Sequence, residues 1–265
     1  FWFAFLVAFF LLAIIGLVGE TNTLALIELP ASGGELKEGI VGLPRFVNPL
    51  LAVTNSDRDL TILIYSGLMR YDENGLLIPD LAERYEISAD GKEYRFFLKP
   101  DLVWHDGEPV TTEDVIFTFK SIKDPGLKSP QRAAWEGVDV ARKSDREVIF
   151  TLKQPYAPFL ENMTIGLLPA HIWSNISAEN FTYSNFHWEP VGTGPYKIKN
   201  IKRDGANLPI AYELTAFKHF ALGEPKLKKL IINFYPSEDE LLAAYREGLI
   251  ESLSAISPAA VKSLT

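Results

Sequence analysis

Apolar positions open the chain as an unbroken run, FWFAFLVAFFLLAIIGLVG, in which seventeen of the first nineteen residues are apolar and none is charged. As a helix it would be about 28 Å long at ~1.5 Å per residue, close to the ~30 Å hydrocarbon core of a bilayer. Pro30-Ala31-Ser32-Gly33-Gly34 then reads as a spacer. Beyond it the pattern becomes that of a folded domain. Glu35 to Val41 alternates polar and apolar residues and predicts a strand, and Leu60, Leu63, Ile64 and Leu68 stand at helical spacing within Asp57 to Met69. Tyr94 to Leu98, Val138 to Arg142, Val148 to Leu152, Tyr196 to Ile201, Ala211 to Thr215 and Leu230 to Phe234 are short strand-like runs. Thr111-Thr112-Glu113-Asp114 and Ser237-Glu238-Asp239-Glu240 are capping-box starts to two further helices, the second closed by Gly248. The expected class is mixed α and β, built from antiparallel meanders rather than regular βαβ alternation.

Composition narrows this further. The chain of 265 residues has no cysteine, so no disulfide framework holds it, and 47% of it is apolar. Its 26 Lys and Arg stand against 34 Asp and Glu, a net charge of −8 that opposes a nucleic-acid backbone. For the opening run an uncleaved membrane anchor is expected. A cleaved signal would want a small-x-small site where Glu20-Thr21-Asn22-Thr23-Leu24 stands, and a buried core helix would not carry aromatic residues on every face.

Catalytic and metal motifs are weak. His105, His171, His187 and His219 are scattered without an HExxH or CxxC companion. Gly192-Thr193-Gly194 is followed by Pro195 and a strand-like run, which makes it a tight turn rather than a phosphate loop. His105-Asp106 falls in a Gly-containing turn and Glu113-Asp114 at a helix start, where acids favour the helix dipole. No catalytic residue, cofactor or metal site is expected.

Longer phrases carry more. The stretch DRDLTILIYSGLMRYDENGLLIPDLAERYEISADGKEYRFFLKPDLVWHDGEPVTTEDVIFTFKSIKDP, then Ala134-Trp135-Glu136-Gly137-Val138, EVIFTLKQPYAPFLENMTIGLLPAHIW and Pro190-Val191-Gly192-Thr193-Gly194-Pro195-Tyr196, follow one another in order. Together they resemble the extracytoplasmic solute-binding proteins of peptide and oligopeptide ABC importers, solute-binding family 5, and the likeness runs from Gly34 to about Pro258. It implies a type II periplasmic-binding-protein fold of two hinged lobes. On that reading residues 1–19 are an anchor or signal and 20–33 a tether; 34–69 and 190–258 form the core of the first lobe, 70–189 its extra subdomain, and the second lobe is missing.

The resemblance also implies a function. A peptide would lie extended in the cleft, held by main-chain hydrogen bonds, and the closed form would be recognised by a membrane permease whose ATPase subunits supply the energy. The positions that match cleft-lining segments are Asn48, Ser66, Gly67, Leu68, Arg132, Trp135, Gly192, Thr193, Gly194 and Tyr196. WHDGEP and the helix after it match a subdomain away from the ligand. The protein is expected to be a monomer on the outer face of the cell membrane, tethered there by its N-terminal helix. Gly248-Leu249-Ile250-Glu251 departs from the family phrase, which often carries Asp at its last position. The alternatives are a non-peptide solute, such as a metal chelate or a sugar, and an anchored surface sensor or scaffold on the same fold.

Overall fold

The structure is a computed structural model that describes residues 2–3, 5–11, 13 and 31–262. It divides into two compact units, Phe1–Ser32 and Gly33–Thr265. The described residues of 2–13 are helical, with Trp2, Phe3 and Phe5 exposed. The rest of the expected anchor, and the tether as far as residue 30, lie outside the described residues. Among the described residues no helix is long and apolar enough to cross a membrane.

In the second unit two sheets share one buried apolar core. The first is built from β1 (Gly33–Val41), β8 (Tyr196–Arg203), β9 (Pro209–Ala216), β10 (Leu227–Tyr235) and β11 (Ser252–Ser254), in the order β11-β1-β10-β9-β8. Strands β8 to β10 form the expected antiparallel meander, but β1 runs parallel to both β10 and β11. The parallel pairing of β1 adds to the expected antiparallel meanders. A parallel partner roughly 190 residues away has no local signature, whereas a hairpin turn does. The second sheet, antiparallel throughout, joins β4 (Ala82–Ile87), β5 (Glu93–Leu98), β6 (Val138–Arg142) and β7 (Glu147–Leu152) in the order β4-β5-β7-β6. A two-stranded ribbon, β2 (Met69–Tyr71) with β3 (Leu77–Pro79), leads into it.

Each of the three longer helices starts on a side-chain cap. Thr54 and Asp57 form a capping box for α1 (Asn55–Ile64), Thr111 and Asp114 for α2 (Thr112–Lys123), and Ser237 accepts from the Glu240 N–H for α3 (Glu238–Arg246). Gly248, at φ +71°, follows α3 in the left-handed conformation expected of a terminating glycine. Helix α1 stops at Ile64, five residues short of the expected Met69, because its next backbone groups bond elsewhere. The Ile64 carbonyl accepts from the Gly194 N–H at 2.8 Å, the Ser66 carbonyl from Leu167 at 2.9 Å, and Met69 donates to the Met163 carbonyl at 3.0 Å. Leu60 and Ile64 from α1, and Val115, Phe119 and Ile122 from α2, enter the same buried cluster as Ile40, Leu214 and Ile232 of the first sheet and Phe96 and Phe150 of the second.

Candidate functional site

A groove of about 1000 Å³ in the second unit lies between three segments that contain Arg45 to Val53, Gly126 to Pro130 and Ala178 to Trp188. Its first wall is shaped by Asp57, which is wholly buried in the first turn of α1. One carboxylate oxygen accepts from the backbone N–H groups of Arg45 at 2.6 Å and Phe46 at 2.8 Å. The other accepts from Val53 at 3.3 Å and Thr54 at 3.1 Å. A buried carboxylate is stable only when hydrogen-bonded in this way, and here the bonds fix both ends of the wall. Asn48 turns the middle: its Oδ1 accepts from the Leu50 N–H at 2.9 Å and its carbonyl from Leu51 and Ala52. The buried Ser129 hydroxyl donates to the Leu50 carbonyl at 2.7 Å, which locks the second wall onto the first.

On the third wall His187 is 2% exposed, its ring 5.0 Å from Phe46 and 5.2 Å from Trp173. Its Nε2–H donates to the Phe181 carbonyl at 2.8 Å, and burial holds its pKa below the usual histidine range, so the ring is neutral near pH 7. Arg45 is exposed, with its guanidinium 4.9 Å from the centre of the Phe46 ring. Lys128 is exposed and has φ +54°, the left-handed region that a side chain with Cβ seldom occupies. The groove thus combines aromatic and aliphatic walls with a few polar groups on fixed loops, the usual make-up of a small-molecule site. Among the described residues no group of three potential metal ligands gathers.

The expected site residues divide sharply. Ser66 and Gly67 line a separate recess of about 410 Å³, together with Tyr65, Arg70 and Asp80, whose carboxyl is pushed up in pKa by burial. Arg132 is exposed on a 3-10 turn one residue past the second groove wall's neighbour Gln131. Thr193 is buried and accepts from the Ser66 N–H at 3.3 Å. Gly192 and Gly194 pack against the end of α1: a Cβ at Gly192 would overlap the Ile64 carbonyl oxygen, and one at Gly194 would lie 2.6 Å from the Ile64 carbonyl carbon. Tyr196 is buried and donates its hydroxyl to the Leu227 carbonyl at 3.1 Å.

Asn48, Leu68 and Trp135 are completely buried, so in this chain their side chains face the interior rather than either recess. The Trp135 ring lies tilted 4.2 Å from Phe119 of α2, 6.2 Å from Phe150 of β7 and edge-on 5.8 Å from Phe159, filling the space between α2 and the second sheet. Arg45, Phe46 and Lys128 carry no motif in the sequence, and His187 stands there only among the scattered histidines. The available signal was the Thr54-x-x-Asp57 box, which marks a tied loop before α1 but does not say what the loop encloses.

Comparison with known proteins agrees with this architecture. Residues 77–265 match the model of bacterial extracellular solute-binding proteins, family 5 Middle. The oligopeptide-binding protein AppA of Bacillus subtilis is 28% identical over 223 residues, covering 83% of this chain and 40% of AppA. Its structure in complex with a nonapeptide superposes with a TM-score of 0.77 over 84% of this chain and 44% of that one. NikZ from Campylobacter jejuni, in complex with Ni(L-His), is 33% identical with a TM-score of 0.73, over 82% of this chain and 43% of NikZ. MoaA from Agrobacterium tumefaciens R10, in complex with mannopinic acid, is 26% identical with a TM-score of 0.72, over 83% and 44%. The chain spans about 40% of the length of the curated relatives it matches. By its family match over more than half its length, and by the mixed α/β fold it shares with these structures, the chain belongs to the bacterial extracellular solute-binding proteins of family 5.

Proposed function

We propose that this chain is the first lobe of the substrate-binding component of an ABC importer, and that its solute is a peptide held between two hinged lobes and delivered to a membrane permease. The observation that carries the reading is the groove itself. Its walls are tied by a buried carboxylate and a buried serine before any ligand arrives, so little ordering cost opposes binding. The likeness to AppA supports a peptide as the solute. The apolar opening run supports attachment at the outer face of the cell membrane, and no step of the proposed role asks for catalysis.

A second reading, a metal chelate or other small non-peptide solute, is favoured by the likeness to NikZ and MoaA. Titration calorimetry on the protein as the cell makes it, with a mixed peptide library, nickel with L-histidine and mannopinic acid, separates the two. Saturable binding of peptides alone is the expected result. Binding of nickel–histidine or the opine with no peptide response would overturn the peptide assignment.

A further inference from the structure

We propose that the groove selects solutes that present a carboxylate, which lies between Arg45 and Lys128 while the apolar part of the solute packs on Phe46, Leu51 and Val53. The inference deepens the solute-binding reading and rests on it.

Charge is the first argument. The chain as a whole carries −8, yet the two cations that line this groove make no ion pair among the described residues. The Arg45 guanidinium lies over the Phe46 ring, which leaves its donor edge unengaged by any carboxylate. The one acidic side chain on the lining, Glu179, is an exposed anion that pairs with neither cation among the described residues, so the lining keeps a net charge of +1. His187 adds no charge near pH 7. Two cations without an ion-pair partner, in a concave, partly apolar site, make this patch net positive and attract anions there, against the sign of the rest of the molecule.

Placement is the second argument. Arg45 is held by its own backbone N–H on the Asp57 carboxylate, and Lys128 precedes the serine whose hydroxyl is fixed to Leu50. Both cations therefore stand on walls whose spacing is set by buried hydrogen bonds rather than by side-chain chance. The left-handed backbone at Lys128 has the same consequence: an unfavourable conformation persists only where surrounding contacts impose it, and here it turns a lysine to the groove. Beside them, Val53 is 55% exposed and Tyr183 83% exposed, so apolar surface is available next to the charge.

A carboxylate could come from an acidic side chain or from a peptide's C-terminus, and four apolar peptides of equal length separate the sources. They carry acidic side chains with an amidated end, neutral side chains with a free end, neutral side chains with an amidated end, and basic side chains with an amidated end. Calorimetry on the protein as the cell makes it should show at least one carboxylate-bearing peptide binding tenfold or more tightly than the neutral amide. That margin should shrink as salt is raised. The double variant Arg45→Glu with Lys128→Glu should remove the preference and favour the basic peptide; both positions are exposed, and Arg45→Gln with Lys128→Gln provides a milder pair that should abolish preference without inverting it. Equal affinity for all four peptides, or a preference unchanged in both double variants, overturns the inference while leaving peptide binding intact. No binding of any peptide overturns the solute reading, and this inference with it.

Discussion

His105 and Gly194 are joined by a 3.1 Å hydrogen bond whose direction is fixed by the other side of the ring. Because His105 Nδ1 accepts from the Gly192 N–H at 3.3 Å, the proton sits on Nε2 and is donated to the Gly194 carbonyl. The His105 N–H also donates to the Gly192 carbonyl at 2.9 Å. The histidine of WHDGEP thus clamps the glycines of PVGTGPY, and two phrases nearly ninety residues apart form one joint.

Acid should open that joint. Burial brings the His105 pKa down to about 4 from an ordinary value of 6.5, so between those limits the unfolded chain binds a proton that the folded chain refuses. Stability is fully present above pH 6.5 and should fall by about 3 kcal/mol as pH drops to 4. His105→Gln should flatten the difference in melting profile across this window. His187, also depressed by burial, acts with the same sign and remains in the variant, so some slope should persist. A variant whose acid profile matches the parent's would show that His105 is not the group responsible.

Adding one methyl group to the joint should be costly. Gly192→Ala places a carbon on the Ile64 carbonyl oxygen and should lower stability by about 3 kcal/mol, the upper range for overpacking. Gly205→Ala, where nothing lies within 4 Å and the backbone is ordinary, should be neutral in the same thermal assay.

Trp135→Ala should destabilise the fold by about 3–5 kcal/mol through the cavity left beside Phe119, Phe150 and Phe159. Protein that remains folded should keep its solute affinity. A variant with a normal melting temperature and weakened binding would return Trp135 to the site.

Asp57→Ala should loosen the groove before it unfolds the domain. Four backbone donors lose their acceptor, and amide exchange at Arg45, Phe46, Val53 and Thr54 should speed up well beyond any change in the second sheet. Uniform acceleration across both sheets would mean that the carboxylate supports the whole fold rather than the wall.

The sequence was informative where the determinant is local. Thr111 with Asp114, Ser237 ahead of α3 and the alternation in β5, β7 and β9 lie within a few residues of what they specify. Strand β4 escaped notice because AERYEI is mostly exposed and shows no apolar alternation. The site was harder for a related reason. Trp135 and Leu68 look like contact residues in a linear phrase, and only the packing of α2 and the chain around Met163 shows them to be interior. Conversely Arg45 and Lys128 are ordinary surface cations until Asp57 and Ser129 bring their loops together.

The parallel seat of β1 between β10 and β11 bears on how the molecule is made. Both neighbours of this strand lie roughly 190 residues or more downstream of it, so while the intervening segments leave the ribosome neither has yet been made. At ~5–20 residues per second, the roughly 190 residues that separate β1 from β10 take on the order of 10–40 seconds to appear. The second sheet and its helix have all their strands by then and can assemble first, whereas the first sheet closes only when the last of its strands arrives. An unpaired strand is easier to hold unfolded and also easier to aggregate. This order of synthesis leaves a long interval in which the nascent chain stays open to a holding factor or an export channel, and pairing between segments so far apart in sequence is expected to come late in folding.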